Sequence, residues 1–150
     1  HHEVELVVAV GKGGANIAEG AALAHVWGYA VGVDLTRRDL QAEAKKAGAL
    51  LDAAKGFDNS APVGAITRTP GALAPARIAL RVNGAIKQDA STGDMIWTVP
   101  EIVAVLSRAW ALAPGDLIFT GTPSGVGPLH RGDHVRAEIE GLAPLTFEIV

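Results

Sequence analysis

The 150-residue chain contains no cysteine. That excludes a disulfide framework, a thiolate zinc site and a cysteine nucleophile, and it fits a reducing cytoplasm. No stretch is apolar for long enough to span a bilayer and no secretory leader is visible, so a cytoplasmic protein without a membrane partner is expected. Basic residues form no stripe. The 13 Lys and Arg stand against 16 Asp and Glu, a net charge of −3, which argues against nucleic acid as a partner. Internal repeats, low-complexity tracts and linkers are also missing. What is present is 49% hydrophobic and 19% charged, over a length that suits one globular domain with a real core.

The chain opens on His1-His2-Glu3-Val4-Glu5-Leu6-Val7-Val8-Ala9-Val10, a β-branched apolar run ended by Gly11. In a strand, Glu3 and Glu5 point one way while Val4, Leu6, Val8 and Val10 point the other, into a core. Two neighbouring carboxylates repel, and burial raises that cost unless a proton or cation neutralises them. Hard oxygen donors of this kind suit Mg²⁺, Mn²⁺ or Ca²⁺. On spacing alone the commoner arrangement is an exposed strand end with two solvated acids.

Gly11-Lys12-Gly13-Gly14 reads as a turn and lacks the spacing of a phosphate loop. Asn16 with Glu19 predicts a capped short helix, with His25 packing at its end. Residues 29–34 predict a second strand ending in Asp34. Thr36 with Asp39 predicts a helix to about Ala47, burying Leu40, Ala44 and Ala47 and exposing Arg37, Gln41 and Lys45; Gly48 ends it. Lys55 heads a loop, where a lysine beside an acid cluster would soften repulsion and a lone one would simply be solvated. Asn83-Gly84 between apolar runs predicts a hairpin of residues 77–82 and 85–88. Pro100 fits the first turn of a helix carrying Ile102, Val103, Leu106 and Trp110. Leu117-Ile118-Phe119 reads as a short buried strand. The Gly- and Thr-rich run Thr120–Pro128 can hold a carboxylate or be an ordinary loop. A last hairpin spans 134–140 and 145–150. Strands and helices do not alternate as in a doubly wound sheet, so an α+β, mainly-β roll is expected.

Three pieces in shared order, His1-His2-Glu3-Val4-Glu5-Leu6, Asp34-Leu-Thr-Arg-Arg-Asp-Leu-Gln41 and Gly115-Asp-Leu-Ile-Phe-Thr-Gly-Thr-Pro-Ser-Gly-Val-Gly127, resemble the fumarylacetoacetate hydrolase family. Within it, the chain is most similar to the fumarylpyruvate hydrolase and acylpyruvase branch. The Lys55-Gly56-Phe57 loop and the Val82-Asn83-Gly84 hairpin fall in the same order, so the resemblance covers the whole chain. It implies a mixed β-roll with a few short helices, assembled as a homodimer. It implies that Glu3, Glu5 and Asp34 hold a divalent metal, Mg²⁺ or Mn²⁺ with Ca²⁺ as a further option. Lys55 then stands beside metal and substrate, Gln41 near the bound ligand, and Thr122 at the substrate's carboxylate end. The implied substrate is a small oxo-acid. A 3-acylpyruvate, best fumarylpyruvate, is gripped by its carboxylate and 2-oxo oxygens, water attacks the distal carbonyl, and pyruvate leaves with a second acid.

Two departures qualify that expectation. The family's histidine and glutamate for proton transfer lie upstream of the metal strand, and none of His1, His2, His25, His130 or His134 matches them. Ala49-Leu50-Leu51 stands where relatives often carry Pro-Trp. The opening residues read either as a tag remnant or as the head of a core strand, and the expectation adopted is one catalytic-type domain from the C-terminal part of a longer enzyme. Two alternatives remain: decarboxylation or isomerisation of an oxaloacetate-type substrate, and a non-catalytic metal-binding or dimerisation fragment.

Overall fold

The computed structural model describes residues 1–150. In chain order the elements are β1 (Val4–Val10), a 3-10 helix (Glu19–His25), β2 (Val26–Val33), α1 (Arg38–Ala47), α2 (Asp52–Lys55), β3 (Arg77–Val82), β4 (Ala85–Ser91), a 3-10 turn (Thr92–Asp94), α3 (Val99–Ala109), β5 (Leu117–Phe119), β6 (His134–Ile139) and β7 (Leu145–Glu148). The expected α+β, mainly-β architecture is present as two antiparallel sheets, ordered β2-β1-β5 and β4-β3-β6-β7. No helix is long and apolar enough to cross a membrane.

β1 is buried along its whole length because it lies between β2 and β5 and is covered on both faces. Its alternate residues Val4, Leu6, Val8 and Val10 enter one core with Leu80, Val82, Val135, Ala137 and Ile139 of the second sheet and Val103 of α3. Period-2 patterning therefore works as predicted here. Asn83 and Gly84 take φ of 50° and 83°, the left-handed pair that a two-residue hairpin requires, and join β3 to β4. Thr98 and Glu101 close a capping box around α3, with Pro100 in its first turn.

Several local expectations are corrected. Asn16 has φ of 52° and lies outside the 3-10 helix, which starts at Glu19 with no side-chain cap. His25 ends that helix, donating from Nδ1 to Lys12 O at 2.7 Å. α1 begins at Arg38 without a side-chain cap, because Thr36 is buried and its hydroxyl is engaged elsewhere. Gln41, expected on the polar face, is the buried residue of α1, while Ala47 is exposed. Lys55 closes the short helix α2 instead of heading a loop. Trp110 is exposed just beyond α3, and only Ile118 of β5 is buried. His2 is buried.

The segment between α2 and β3 runs along β2 through the bridges Tyr29–Thr67 and Gly32–Val63. It approaches so closely at Gly28 that a Cβ there would sit 2.3 Å from Thr67 O. Gly28→Ala is expected to destabilise the chain by about 1–3 kcal/mol through overpacking. Gly20→Ala, where a Cβ meets nothing within 4 Å, is expected to cost far less. Urea unfolding of the two variants checks the contrast.

Candidate metal and substrate site

Strand pairing creates the acid cluster. Val4 pairs with Val33, so Glu3 meets the residue that follows β2, and the Asp34 N–H donates to Glu3 O at 2.8 Å. Glu3 and Glu5 share one face of β1 and are both buried. One carboxylate oxygen from each of Glu3, Glu5 and Asp34 falls within 4.8 Å of the others.

Two cations from the next two helices meet this cluster. Lys55 Nζ, at the end of α2, donates to Glu3 Oε2 at 2.8 Å, Asp34 Oδ2 at 2.5 Å and Thr36 Oγ1 at 2.8 Å. Arg38, in the first turn of α1, donates from Nη2 to Glu3 Oε1 at 2.7 Å and from Nη1 to Gln41 Oε1 at 2.5 Å. Burial opposes ionisation of Glu3, but the hydrogen bonds from Lys55 and Arg38 outweigh it and hold its pKa below the usual glutamate value. Burial likewise works against the Lys55 ammonium, yet Asp34 and Glu3 together raise its pKa.

Glu5 has a different environment. Its one protein donor is the Gly121 N–H, 2.6 Å from Oε2. Burial pushes its pKa up to about 7, with Asp34 and Glu3 adding to the rise and the Gly121 N–H and Lys55 opposing it. Gly121 is held at φ of 100°, a conformation that favours glycine, and the residues on either side are tied as well. Thr120 Oγ1 donates to Leu6 O at 2.8 Å, and Thr122 Oγ1 accepts from Gln88 Nε2 at 2.8 Å. Thr120 to Ser124 line one side of a cavity of about 540 Å³, and Met95, Ile96, Trp97 and Ile102 line the other. None of the three acids lines that cavity; Gly121 connects it to the cluster.

The residues fit a hard dication. All donors are carboxylate oxygens, and no protein hydrogen bond reaches Glu5 Oε1 or Asp34 Oδ1. With Glu5 ionised, three carboxylates against Lys55 and Arg38 leave one net negative charge; a dication makes it one net positive, suited to an anionic ligand. The structure thus brings Glu3, Glu5, Asp34 and Lys55 together. It places Gln41 behind Arg38 and Thr122 on the loop across Glu5. Arg38, Thr36 and Gln88 were not identified from sequence. Arg38 could have been, since it stands three residues before Gln41 on one helix face. Gln88 has no such signal, because its role depends on pairing between distant segments.

The chain matches the family model "Fumarylacetoacetate (FAA) hydrolase C-terminal" over residues 1–150. It is 44% identical to the mitochondrial oxaloacetate tautomerase of Mus musculus, over 99% of this chain and 68% of that protein. Identity to a fumarylpyruvate hydrolase of Ralstonia sp is 41%, over 99% and 78%. The crystal structure of fumarylpyruvate hydrolase from Pseudomonas aeruginosa in complex with Mn²⁺ and pyruvate superposes with a TM-score of 0.96 at 46% identity, covering 99% of this chain and 65% of that one. The chain spans about two thirds of the length of the mouse tautomerase and of the P. aeruginosa hydrolase.

The Glu5 environment predicts a pH effect. With a chelator present, folded Glu5 holds its proton up to about pH 7, whereas an unfolded glutamate releases it near 4.5. Between those values the folded state binds more protons, so this contribution to stability falls as pH rises. It is expected to amount to at most about 3 kcal/mol between pH 5 and 8. Urea unfolding of the parent chain and of Glu5→Gln checks it, because the glutamine removes this part of the slope.

Proposed function

We infer that this chain, which belongs to the fumarylacetoacetate hydrolase family, binds Mg²⁺ or Mn²⁺ through Glu3, Glu5 and Asp34 and serves the hydrolytic C–C cleavage of 3-acylpyruvates. Fumarylpyruvate, giving fumarate and pyruvate, is the substrate we assign. The observation that carries this reading is the convergence of three carboxylates within 4.8 Å, bounded by two cations. The P. aeruginosa fumarylpyruvate hydrolase with Mn²⁺ and pyruvate supports both the type of ion and the oxo-acid.

When bound, the dication supplies Lewis-acid charge for the oxygens of an oxo-acid and for the enolate that forms as the C–C bond breaks. The protein's own groups do the rest. Lys55 favours the ionised forms of Glu3 and Asp34, its three N–H groups going to Glu3, Asp34 and Thr36. Arg38 fixes the other oxygen of Glu3, with Gln41 holding the guanidinium in place. The Thr122 hydroxyl meets the substrate's carboxylate end. No histidine of residues 1–150 is assigned to proton transfer: His2 is held by Gln88, His25 by Lys12 O, and His134 is exposed on the second sheet. We take the 150 residues as one catalytic-type unit that pairs as a homodimer, with exposed Ile96, Trp97 and Trp110 available for a partner.

A second reading is favoured by the 44% identity to the mouse oxaloacetate tautomerase. Isomerising or decarboxylating oxaloacetate calls for the same grip on an oxo-acid and no attacking water. One assay separates the readings. Incubation with Mg²⁺ and fumarylpyruvate is expected to release fumarate and pyruvate in equal amounts. Oxaloacetate turnover with fumarylpyruvate left intact moves the assignment to the second reading. Metal binding without turnover of either leaves a binding fragment.

The metal assignment has its own check. Glu3→Gln and Asp34→Asn are each expected to weaken Mn²⁺ binding at least about tenfold by titration calorimetry. Unchanged affinity in both variants removes the site.

A further inference from the structure

Gln88 is a polar side chain of β4 that is 1% exposed, and all four hydrogen-bonding positions of its amide are filled. Oε1 accepts from Val4 N at 3.1 Å and faces His2 Nδ1 at 2.9 Å. Nε2 donates to Pro123 O at 2.9 Å and lies 2.8 Å from Thr122 Oγ1. Which end is which is not arbitrary. A backbone N–H can only donate and a backbone carbonyl can only accept, so Val4 and Pro123 together forbid the flipped amide. Two consequences follow. His2 Nδ1 must carry a proton, because the oxygen facing it only accepts. Thr122 Oγ1 must accept from Gln88, so its own hydroxyl hydrogen is free to donate elsewhere.

We propose that Gln88 is a positioning residue that sets the Thr122 hydroxyl as a hydrogen-bond donor aimed at an acceptor oxygen of the ligand, the carboxylate of the oxo-acid. This rests on the function proposed above. The same amide ties the start of β1, next to Glu3, to the loop that crosses Glu5, so it also fixes the spacing between the acids and Thr122. A hydroxyl whose lone pair is already used offers its hydrogen to an anionic oxygen without first breaking a competing bond. The apparent preference is therefore for a ligand end that accepts and does not donate.

The test uses Mn²⁺ with oxalate as the probe, followed by calorimetry at pH 8. Gln88→Glu keeps an acceptor for Val4 and His2 but loses both donors, so the Thr122 hydroxyl turns back towards the new carboxylate. Oxalate affinity is expected to fall about tenfold in Gln88→Glu and similarly in Thr122→Val, the loss of one charge-assisted hydrogen bond. Thr122→Ser is expected to restore it. The double variant should be no weaker than Gln88→Glu alone, because the two changes remove one interaction. The ¹⁵N shift of His2 Nδ1 should report a protonated nitrogen in both the parent chain and Gln88→Glu, a readout that does not depend on binding. Wild-type oxalate affinity in Gln88→Glu, or full additivity in the double variant, overturns the proposal; so does an unprotonated His2 Nδ1. A parent chain that takes up Mn²⁺ but not oxalate overturns this inference alone. One that takes up no Mn²⁺ overturns the proposed metal site with it.

Discussion

Everything at the acidic end of this fold depends on the Lys55 ammonium lying between Glu3 and Asp34. Three carboxylates within 4.8 Å, two of them buried, repel strongly in a medium that screens poorly. Removing the ammonium from these half-buried pairs leaves the two carboxylates facing each other without compensation. The segment from Asp34 to Ser60 is built to prevent that. Leu35 N–H donates to Ser60 O and Arg37 N–H to Ala54 O, so the chain leading into α1 is pinned to α2 and to the turn that follows it. Lys55 and Arg38 then reach Glu3 from two directions, one to each oxygen. The buried Thr36 supplies a third acceptor for Lys55, which a cap at the start of α1 would have withheld.

Glu3 and Glu5 stand two residues apart on the same face of one strand, yet their proton affinities move in opposite directions. Burial opposes ionisation in both. Glu3 has two cationic donors that overcome it; Glu5 has one backbone N–H that does not. The pair shows that it is the neighbours, more than the strand, that decide the charge of each acid. It also divides the labour. Glu3 is favoured as an anion by Lys55 and Arg38, which bond one to each oxygen. Glu5 exchanges a proton near neutral pH, so any cation that binds there competes with that proton and gains affinity as pH rises.

What could be read in the sequence and what could not divide along a physical line. β1, the Asn83-Gly84 turn, the Pro100 helix start and the convergence of Glu3, Glu5 and Asp34 depend on short-range periodicity or on a motif order that survives intact. The errors fall where a distant partner overrides a local preference. Thr36 has the chemistry of a helix cap but is drawn to Lys55. Gln41 looks like a surface residue of α1, but its amide oxygen accepts from Arg38 of the same helix, whose guanidinium reaches buried Glu3, so the glutamine is buried with a polar partner. Trp110 continues the apolar stripe of α3 by spacing, but the helix stops at Ala109 and the indole turns outward. Gln88 is the clearest instance, since nothing local marks a residue whose partners lie 34 to 86 positions away, whereas Arg38 has at least Gln41 three residues on.

The run Thr120-Gly121-Thr122 is the sharpest case, because composition alone makes it an ordinary loop. Each residue meets a separate requirement. Thr120 extends the β5 pairing by donating its hydroxyl to Leu6 O. Gly121 takes a φ of 100°, strained for any L side chain, and its N–H points at Glu5. Thr122 needs a hydroxyl that can accept from Gln88 while keeping a hydrogen to give. Serine could replace either threonine chemically, with less packing to hold its rotamer. No L residue replaces Gly121 without strain, so the contact between the loop and Glu5 depends on the one residue in the run that has no side chain.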